Sequence, residues 1–196
     1  WFSTAPPQPA ALFVLFCSFV YQLFPLFPDF SLYRVTHKIM ALLPVSGFSI
    51  RSFSVSLILW LITARLVEIA FSPQWVPAIL AGLFLLAPAK LFILGRTMTW
   101  VELTGMAAAY LLWIFAVRQS PWRPQFLAVL ATLVILVQGL APFHFSSSPA
   151  EFNWVPFVGL LQADRSNALY TLAGKLFTYG AYIWILVDSG CSMRWA

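Results

Sequence analysis

Six apolar runs, each close to the length that crosses a bilayer, dominate this sequence. They occupy residues 10–27, 53–71, 76–94, 101–117, 125–143 and 168–187. A hydrocarbon core of about 30 Å needs about 20 apolar residues in a helix that rises about 1.5 Å per residue. Isolated strands would leave backbone groups unpaired in lipid, and the runs lack the alternation of a barrel. The sequence therefore predicts an all-α, multi-pass transmembrane helix bundle with five or six spans.

Composition agrees with a chain that lies mostly in lipid. Hydrophobic residues make up 61% of the sequence and charged residues only 9%. A soluble globular chain carries roughly 25% charged residues, so this chain has too little polar surface to cover a water-facing exterior. The balance excludes a soluble enzyme, a nucleic-acid-binding module and a disulfide-stapled secreted domain.

The formal net charge of +5 has a membrane explanation, because Lys and Arg collect in cytoplasmic loops beside anionic headgroups. With six spans, basic residues are unequally divided between the two sides: Arg34, Lys38, Arg51, Lys90, Arg96 and Arg165 on one, and Arg118, Arg123 and Arg194 on the other. The first side is then cytoplasmic. We expect other membrane subunits and phospholipids as partners, and no nucleic acid.

Two segments are too polar to span and too apolar to be free loops. In residues 29–43, basic and apolar side chains fall on opposite faces at 100° per residue, which predicts an amphipathic helix in the membrane interface. Arg34 and Lys38 on its basic face are candidates for headgroup contact, as is Arg96 before the fourth run. Residues 151–165 are polar at both ends with Pro156 between aromatic residues, which predicts a re-entrant or interfacial loop.

Helix boundaries carry ordinary sequence signals. Thr99 and Glu102 have the spacing of a capping box at the start of the fourth run. The short stretch 72–75 predicts a tight turn, so the second and third runs should form an antiparallel hairpin. Gly190 stands where a glycine ends the last helix.

Arg65 and Glu68 are charged residues inside an apolar run, where insertion of each costs about 2.5–3.5 kcal/mol. They lie three residues apart and can pair on one face of the helix. Ser72 projects in nearly the same direction and extends a polar stripe that should face the bundle or another protein. The pair is interpreted as a structural contact that determines helix packing, with a substrate or proton site as the alternative.

Lys175 lies in the last run, and Tyr179 and Tyr182 fall on the same side of that helix. The stripe should avoid lipid and is a second candidate interface. Lys175 either extends to the headgroups, as long basic side chains do, or is buried against an anion, for which Glu68 and Asp164 are the candidates.

Motifs of catalysis and metal binding are missing from the sequence. It contains no phosphate-binding glycine loop, no zinc-type His and Glu spacing and no recognisable nucleophile with its base. Cys17 and Cys191 are far apart and predict neither a disulfide nor a metal site. We therefore expect a non-catalytic protein with bound lipid and no dedicated cofactor or metal, and leave contact with a pigment or quinone open.

Several short motifs resemble the VanZ-like family of bacterial integral membrane proteins. They are APFHF, FNWVPF and LAGKLFTYGAYIWIL in the last third of the chain, and LITARLVEIAFSPQWVPAILAG followed by GRTMTWVELTG in the middle. The resemblance covers residues 28–190. It implies a bacterial, multi-pass membrane protein of a family in which one member is associated with glycopeptide resistance. No catalytic residue is carried over.

These observations lead to two functional hypotheses. We interpret residues 1–196 as one integral membrane domain, a segment of a longer chain, that serves as an accessory subunit of a bacterial photosynthetic or respiratory complex in the cytoplasmic membrane. The alternative is a cell-envelope protein that binds or acts on a lipid-linked or glycopeptide-related substrate. In that case Arg65, Glu68 and Arg96 would form a site for an anionic headgroup.

Overall fold

A computed structural model describes residues 9–24, 27–28, 30–42, 49–93, 98–140 and 165–190. Within these ranges the chain forms seven α-helices and no strand, which confirms the all-α prediction for this part of the protein. In chain order the helices are α1 (Pro9–Leu23), α2 (Leu32–Leu42), α3 (Ile50–Ala70), α4 (Val76–Leu86), α5 (Trp100–Leu112), α6 (Arg123–Leu140) and α7 (Arg165–Asp188).

Each of the six apolar runs contains one of these helices, but their lengths differ. Two helical stretches, Ile50–Ala70 and Trp100–Val117, are long and apolar enough to cross a membrane. Pro9–Leu23, Val76–Phe92 and Arg123–Gly139 are apolar but shorter. The described helices therefore fit a membrane protein, whereas the bundle of five or six spans is not confirmed.

Local signals explain where the helices begin and end. Ser49 precedes α3 and its Oγ accepts a hydrogen bond from Ser52 N at 3.3 Å. Thr99 precedes α5 and accepts from Glu102 N at 3.2 Å, so the predicted N-cap is confirmed. Gly190 follows α7 with φ at 84°, a left-handed conformation that glycine adopts without strain.

Two helices change their winding towards their carboxyl ends. After Leu86, α4 tightens into a 3₁₀ segment, Ala87–Phe92, where Pro88 cannot supply a helical N–H. After Leu112, α5 widens into a π-helical segment, Trp113–Val117, which is closed by the 3.0 Å bond from Arg118 N to Trp113 O. The 3₁₀ segment places Lys90 at a position that an uninterrupted α-helix would not give it.

Helix α3 lies at the centre of the described bundle and packs against α1, α4, α5, α6 and α7. Helix α1 packs antiparallel to α7. Tyr21 near the end of α1 stacks on Tyr170 near the start of α7, while Val14 lies beside Gly180 further along α7. The side chains that are almost completely buried between the helices include Trp113, Phe177, Leu61, Leu66, Leu127 and Ile185. The main apolar cluster of the described residues therefore surrounds α3, and a smaller one forms around Met98 and Met106.

Helix α2 forms within the segment that was predicted to be amphipathic, and it lies beside the 3₁₀ segment. Lys38 Nζ donates to the backbone oxygens of Leu91 at 3.1 Å and Ile93 at 2.7 Å. Leu32 and Tyr33 on α2 are exposed. The location of α2 in the membrane interface stays a prediction. Residues 151–164, which hold most of the predicted re-entrant loop, lie outside the described residues.

Helices α3 and α5 approach closely at Gly105, and this contact can be tested. A Cβ on Gly105 would lie 2.9 Å from Ser56 Cβ and 3.2 Å from the backbone nitrogen of Leu57. Gly105→Ala should lower the melting temperature in detergent, because overpacking costs about 1–3 kcal/mol and exceeds the helix-propensity gain of up to ~1 kcal/mol.

Gly82→Ala in α4 is the matched control, since a Cβ there meets no atom within 4 Å. This variant should keep or raise the melting temperature. Equal shifts in the two variants would contradict the close approach of α3 and α5.

Candidate functional site

Arg65 forms the centre of a buried ion network at the carboxyl end of α3. The residue is only 9% exposed, and its Nη1 lies 2.6 Å from Glu68 Oε2. The guanidinium also donates from Nε to Asp188 Oδ2 at 2.9 Å and from Nη2 to Asp188 Oδ1 at 3.0 Å. The predicted pair of Arg65 and Glu68 is present. Asp188 adds a bidentate contact from α7, which could not be predicted because Asp188 is far from Arg65 in the sequence.

Arg123 at the start of α6 completes this network. Its Nη1 lies 3.0 Å from Glu68 Oε1 and also donates to the backbone oxygen of Arg118 at 3.0 Å. Two guanidinium groups and two carboxylates then balance in charge and join α3, α6 and α7. Because both carboxylates are already engaged, the geometry favours a clamp between helices over a site that receives a substrate.

The other polar candidates of α3 and α7 lie in different environments. Ser72 is exposed in the turn after α3, where its backbone oxygen accepts a hydrogen bond from Trp75 N at 2.9 Å. Lys175 and Tyr179 are exposed on the outside of α7, and among the described residues Lys175 makes no ion pair. Tyr182 is partly buried and its hydroxyl accepts from Thr132 Oγ1 at 3.3 Å.

The three residues predicted to contact lipid headgroups also differ in their surroundings. Arg34 is exposed on α2. Lys38 is partly buried, and its two bonds to backbone oxygens tie α2 to the end of the 3₁₀ segment. Arg96 lies outside the described residues. Contact of these side chains with lipid headgroups stays a prediction.

A second buried ion pair joins Lys90 in the 3₁₀ segment to Glu102 in α5. Lys90 is only 6% exposed, and its Nζ contacts Glu102 Oε1. The backbone oxygen of Glu102 accepts from Ser56 Oγ on α3 at 3.2 Å. The sequence predicts a capping box for Glu102 and places Lys90 among the basic residues of the cytoplasmic side, but in the structure the Glu102 carboxylate pairs with Lys90, so only the Thr99 cap of that box is confirmed. In the sequence, the feature that indicates this ion pair is a lysine inside an apolar run.

This ion pair lies in the wall of a cavity of about 490 Å³, here named the polar cavity. Residues from α1, α3, α5, α6, α7 and the 3₁₀ segment line it: Tyr21, Gln22, Ser49, Arg51, Ser52, Val55, Ser56, Leu59, Trp60, Lys90, Thr99, Glu102, Gln138 and Tyr170. They belong to the amino ends of α3, α5 and α7 and the carboxyl ends of α1 and α6. The polar cavity therefore lies at the opposite end of the bundle from the Arg65 network.

An apolar groove of about 290 Å³ adjoins the polar cavity. It is lined by Leu12, Leu15, Phe16, Ser18, Phe19, Gln22, Leu23, Trp60, Thr63, Val67, Phe71, Ile79, Leu83 and Lys90. Gln22, Trp60 and Lys90 line both spaces. The two spaces therefore meet at these three residues, with hydroxyl and amide side chains lining much of the polar cavity and mainly hydrocarbon lining the apolar groove.

Within the described ranges, no three His, Cys, Asp or Glu residues come together as a group that could hold a metal ion. Neither Arg65 nor Glu68 lines the polar cavity or the apolar groove.

Comparisons of the chain with protein-family models, curated proteins and solved structures find no match.

The Arg65 network should contribute to stability in proportion to burial. Asp188→Asn removes the charge opposite a guanidinium whose side chain is only 11% exposed, so a loss of about 1–3 kcal/mol is expected. Arg123→Gln should cost less than ~1 kcal/mol because a half-solvated pair is weak. Thermal unfolding in detergent measures both.

A double-mutant cycle with Arg65→Gln isolates the contact between Arg65 and Asp188 from other effects of the two changes. The combined loss should be smaller than the sum of the single losses. Strict additivity would show that Asp188 does not interact with Arg65.

Proposed function

We propose that this protein is a multi-pass protein of the bacterial cytoplasmic membrane that binds a lipid-linked molecule. The anionic head of the ligand occupies the polar cavity, and its hydrocarbon chain lies in the apolar groove. Lys90 carries this proposal, because this buried residue lines both spaces and its ammonium pairs with Glu102 in the wall of the polar cavity. In an amphipathic lipid, the charged group likewise lies at the boundary between the polar head and the hydrocarbon chain.

The extent of the apolar groove supports a hydrocarbon occupant. Its lining on α1 runs from Leu12 to Leu23, a distance of about 16 Å along a helix that rises 1.5 Å per residue. One leaflet contributes about 15 Å of hydrocarbon, half of a core of about 30 Å. The groove therefore extends along α1 by the thickness of one leaflet.

The charges of the polar cavity support an anionic head. Arg51 and Lys90 contribute two positive charges to its lining and Glu102 contributes one negative charge, which leaves a net charge of +1. Arg51 is exposed at the end of α3, whereas Lys90 lies deep in the protein. An anion between them gains charge-assisted hydrogen bonds from both side chains.

The five or six spans belong to the same proposal. Each of the six apolar runs overlaps a helix, and two of the helical stretches are both long and apolar enough to cross a membrane. Similarity to VanZ-like proteins stays an inference from the motifs in the sequence.

Obstructing the apolar groove should change the length of hydrocarbon chain that a bound lipid can have. Leu12→Trp places a large side chain at the end of the groove that is distant from Lys90. Binding of long-chain anionic lipids should fall roughly tenfold, because each excluded CH₂ forfeits about 0.8 kcal/mol of burial. Binding of short-chain analogues should persist. Native mass spectrometry of the detergent-solubilised protein measures both.

Leu133→Trp is the matched control, because Leu133 is 49% exposed on α6 and lies outside both spaces. It should leave lipid binding unchanged. If the two tryptophan variants bind long and short chains alike, the groove does not hold the chain and the proposal is wrong.

A second function, as an accessory subunit of a larger photosynthetic or respiratory membrane complex, is favoured by the outer face of α7. Lys175 is the eleventh residue of this 24-residue helix, and exposed Leu172, Leu176 and Tyr179 surround it. An ammonium facing hydrocarbon costs about 2.5–3.5 kcal/mol. A neighbouring subunit that offers a carboxylate would offset that cost.

Loss of this contact should appear as loss of co-purification. Lys175→Ala and Tyr179→Ala should each reduce the amount of any larger complex that is extracted from native membranes in mild detergent. Native size analysis with mass spectrometry measures the complex. Arg118→Ala removes an exposed charge elsewhere and should leave it intact. Unchanged assembly in both α7 variants would exclude this function.

A further inference from the structure

The polar cavity is lined mainly by side chains that both donate and accept hydrogen bonds. Hydroxyl groups come from Ser49, Ser52, Ser56 and Thr99, and amide groups come from Gln22 and Gln138. A hydroxyl group on a ligand is also both donor and acceptor, so it pairs with the amide groups in either direction and donates to Ser52 and Ser56, whose own hydrogens bond Ser49 Oγ and the backbone oxygen of Glu102. A phosphate diester offers acceptors alone and would use only part of this lining.

The size of the polar cavity indicates a head larger than a phosphate group. Its volume of about 490 Å³ lies within the range of roughly 300–1,000 Å³ typical of small-molecule sites. A water molecule takes about 30 Å³ of liquid volume, and a phosphate group occupies the space of only a few water molecules. Most of the cavity therefore remains for a group beyond the phosphate.

Two tyrosine rings form part of the wall of the polar cavity. Tyr21 from α1 and Tyr170 from α7 stack with ring centroids 4.8 Å apart and an interplanar angle of 17°. Both rings line the polar cavity. Flat aromatic surfaces pack against the C–H faces of polyols and sugars, while the hydroxyl groups of such molecules point towards polar partners.

The net charge of the polar cavity indicates a single negative charge on the head. Arg51 and Lys90 together exceed Glu102 by one positive charge. A phosphodiester carries one negative charge, whereas a phosphate monoester carries about 1.5 to 2. A head with its own ammonium group would bring a third cation close to Arg51 and Lys90, which the cavity cannot balance.

From these features we infer that the ligand is a phosphodiester lipid with a hydroxyl-rich head, such as glycerol or a sugar, bound in the polar cavity. This inference rests on the proposed function. The phosphodiester lies between Arg51 and Lys90, at the junction with the apolar groove. The hydroxyl groups of the head bond to the serine and glutamine side chains, and its carbon skeleton packs on the Tyr21 and Tyr170 rings.

Competition between lipids with identical chains tests the head chemistry on the full chain in nanodiscs. Phosphatidylglycerol supplies the phosphodiester and the hydroxyl groups. Phosphatidic acid lacks the hydroxyl groups, phosphatidylethanolamine carries an ammonium group, and a glycosyl diacylglycerol lacks the phosphate. Phosphatidylglycerol should bind roughly tenfold more tightly than each of the others, which corresponds to one or two lost hydrogen bonds or a lost charge contact.

Gln138→Leu tests the lining itself. This variant should lose the preference for phosphatidylglycerol over phosphatidic acid while its binding of phosphatidic acid stays within about twofold, because an uncharged side chain is removed. Gln125→Leu makes the same change at the opposite end of α6, where Gln125 is exposed, and should keep the preference. A shared loss of preference in both variants would overturn the assignment of Gln138.

The outcomes separate the two proposals. Equal binding of phosphatidylglycerol, phosphatidic acid and phosphatidylethanolamine, still sensitive to Leu12→Trp, would overturn the inference about the head and leave the proposed function standing. Binding of free glycerophosphoglycerol, the deacylated diester, as tight as that of phosphatidylglycerol would support the head chemistry and overturn the lipid. Absence of binding by every lipid would overturn both.

Discussion

Arg65 is a guanidinium buried in an apolar bundle, and its need for partners determines how three helices meet. Glu68 supplies one carboxylate from the same helix, while Asp188 supplies a bidentate contact from α7. Arg123 then neutralises the remaining charge and brings in the start of α6. A buried charge without these contacts would be strongly destabilising, so the network restricts α6 and α7 to one arrangement around the central helix α3.

The two ends of the bundle use charge differently. At the carboxyl end of α3 the charges balance and the carboxylates are fully engaged by guanidinium groups, which leaves a closed contact between helices. At its amino end Lys90 and Glu102 pair beside a cavity whose lining retains one positive charge and many hydroxyl and amide groups. The first arrangement contributes to packing, whereas the second is open to a ligand. Lys38 supports this end because it holds the backbone of the 3₁₀ segment next to Lys90.

Local spacing explains which parts of the site were predictable. The contact between Arg65 and Glu68 follows from their separation of three residues, because such residues are neighbours on any α-helix. The contact between Arg65 and Asp188 spans 123 residues, and nothing in the sequence indicates that α7 ends beside α3. Lys90 and Glu102 were assigned to separate local roles because each has an adequate local explanation. Their pairing depends on the 3₁₀ segment, which turns Lys90 towards α5.

Local sequence is sufficient to predict that the described part of the chain is helical, that its helices are apolar and where several of them begin and end. Those properties arise from composition, from periodicity and from capping residues such as Thr99 and Gly190, all of which act within a few residues. The tertiary structure alone decided that α3 is central and that the polar cavity and the apolar groove meet at Lys90. Such features depend on contacts between distant segments, and apolar helices have no strong preference for particular neighbours until buried charges and close approaches such as that at Gly105 select them.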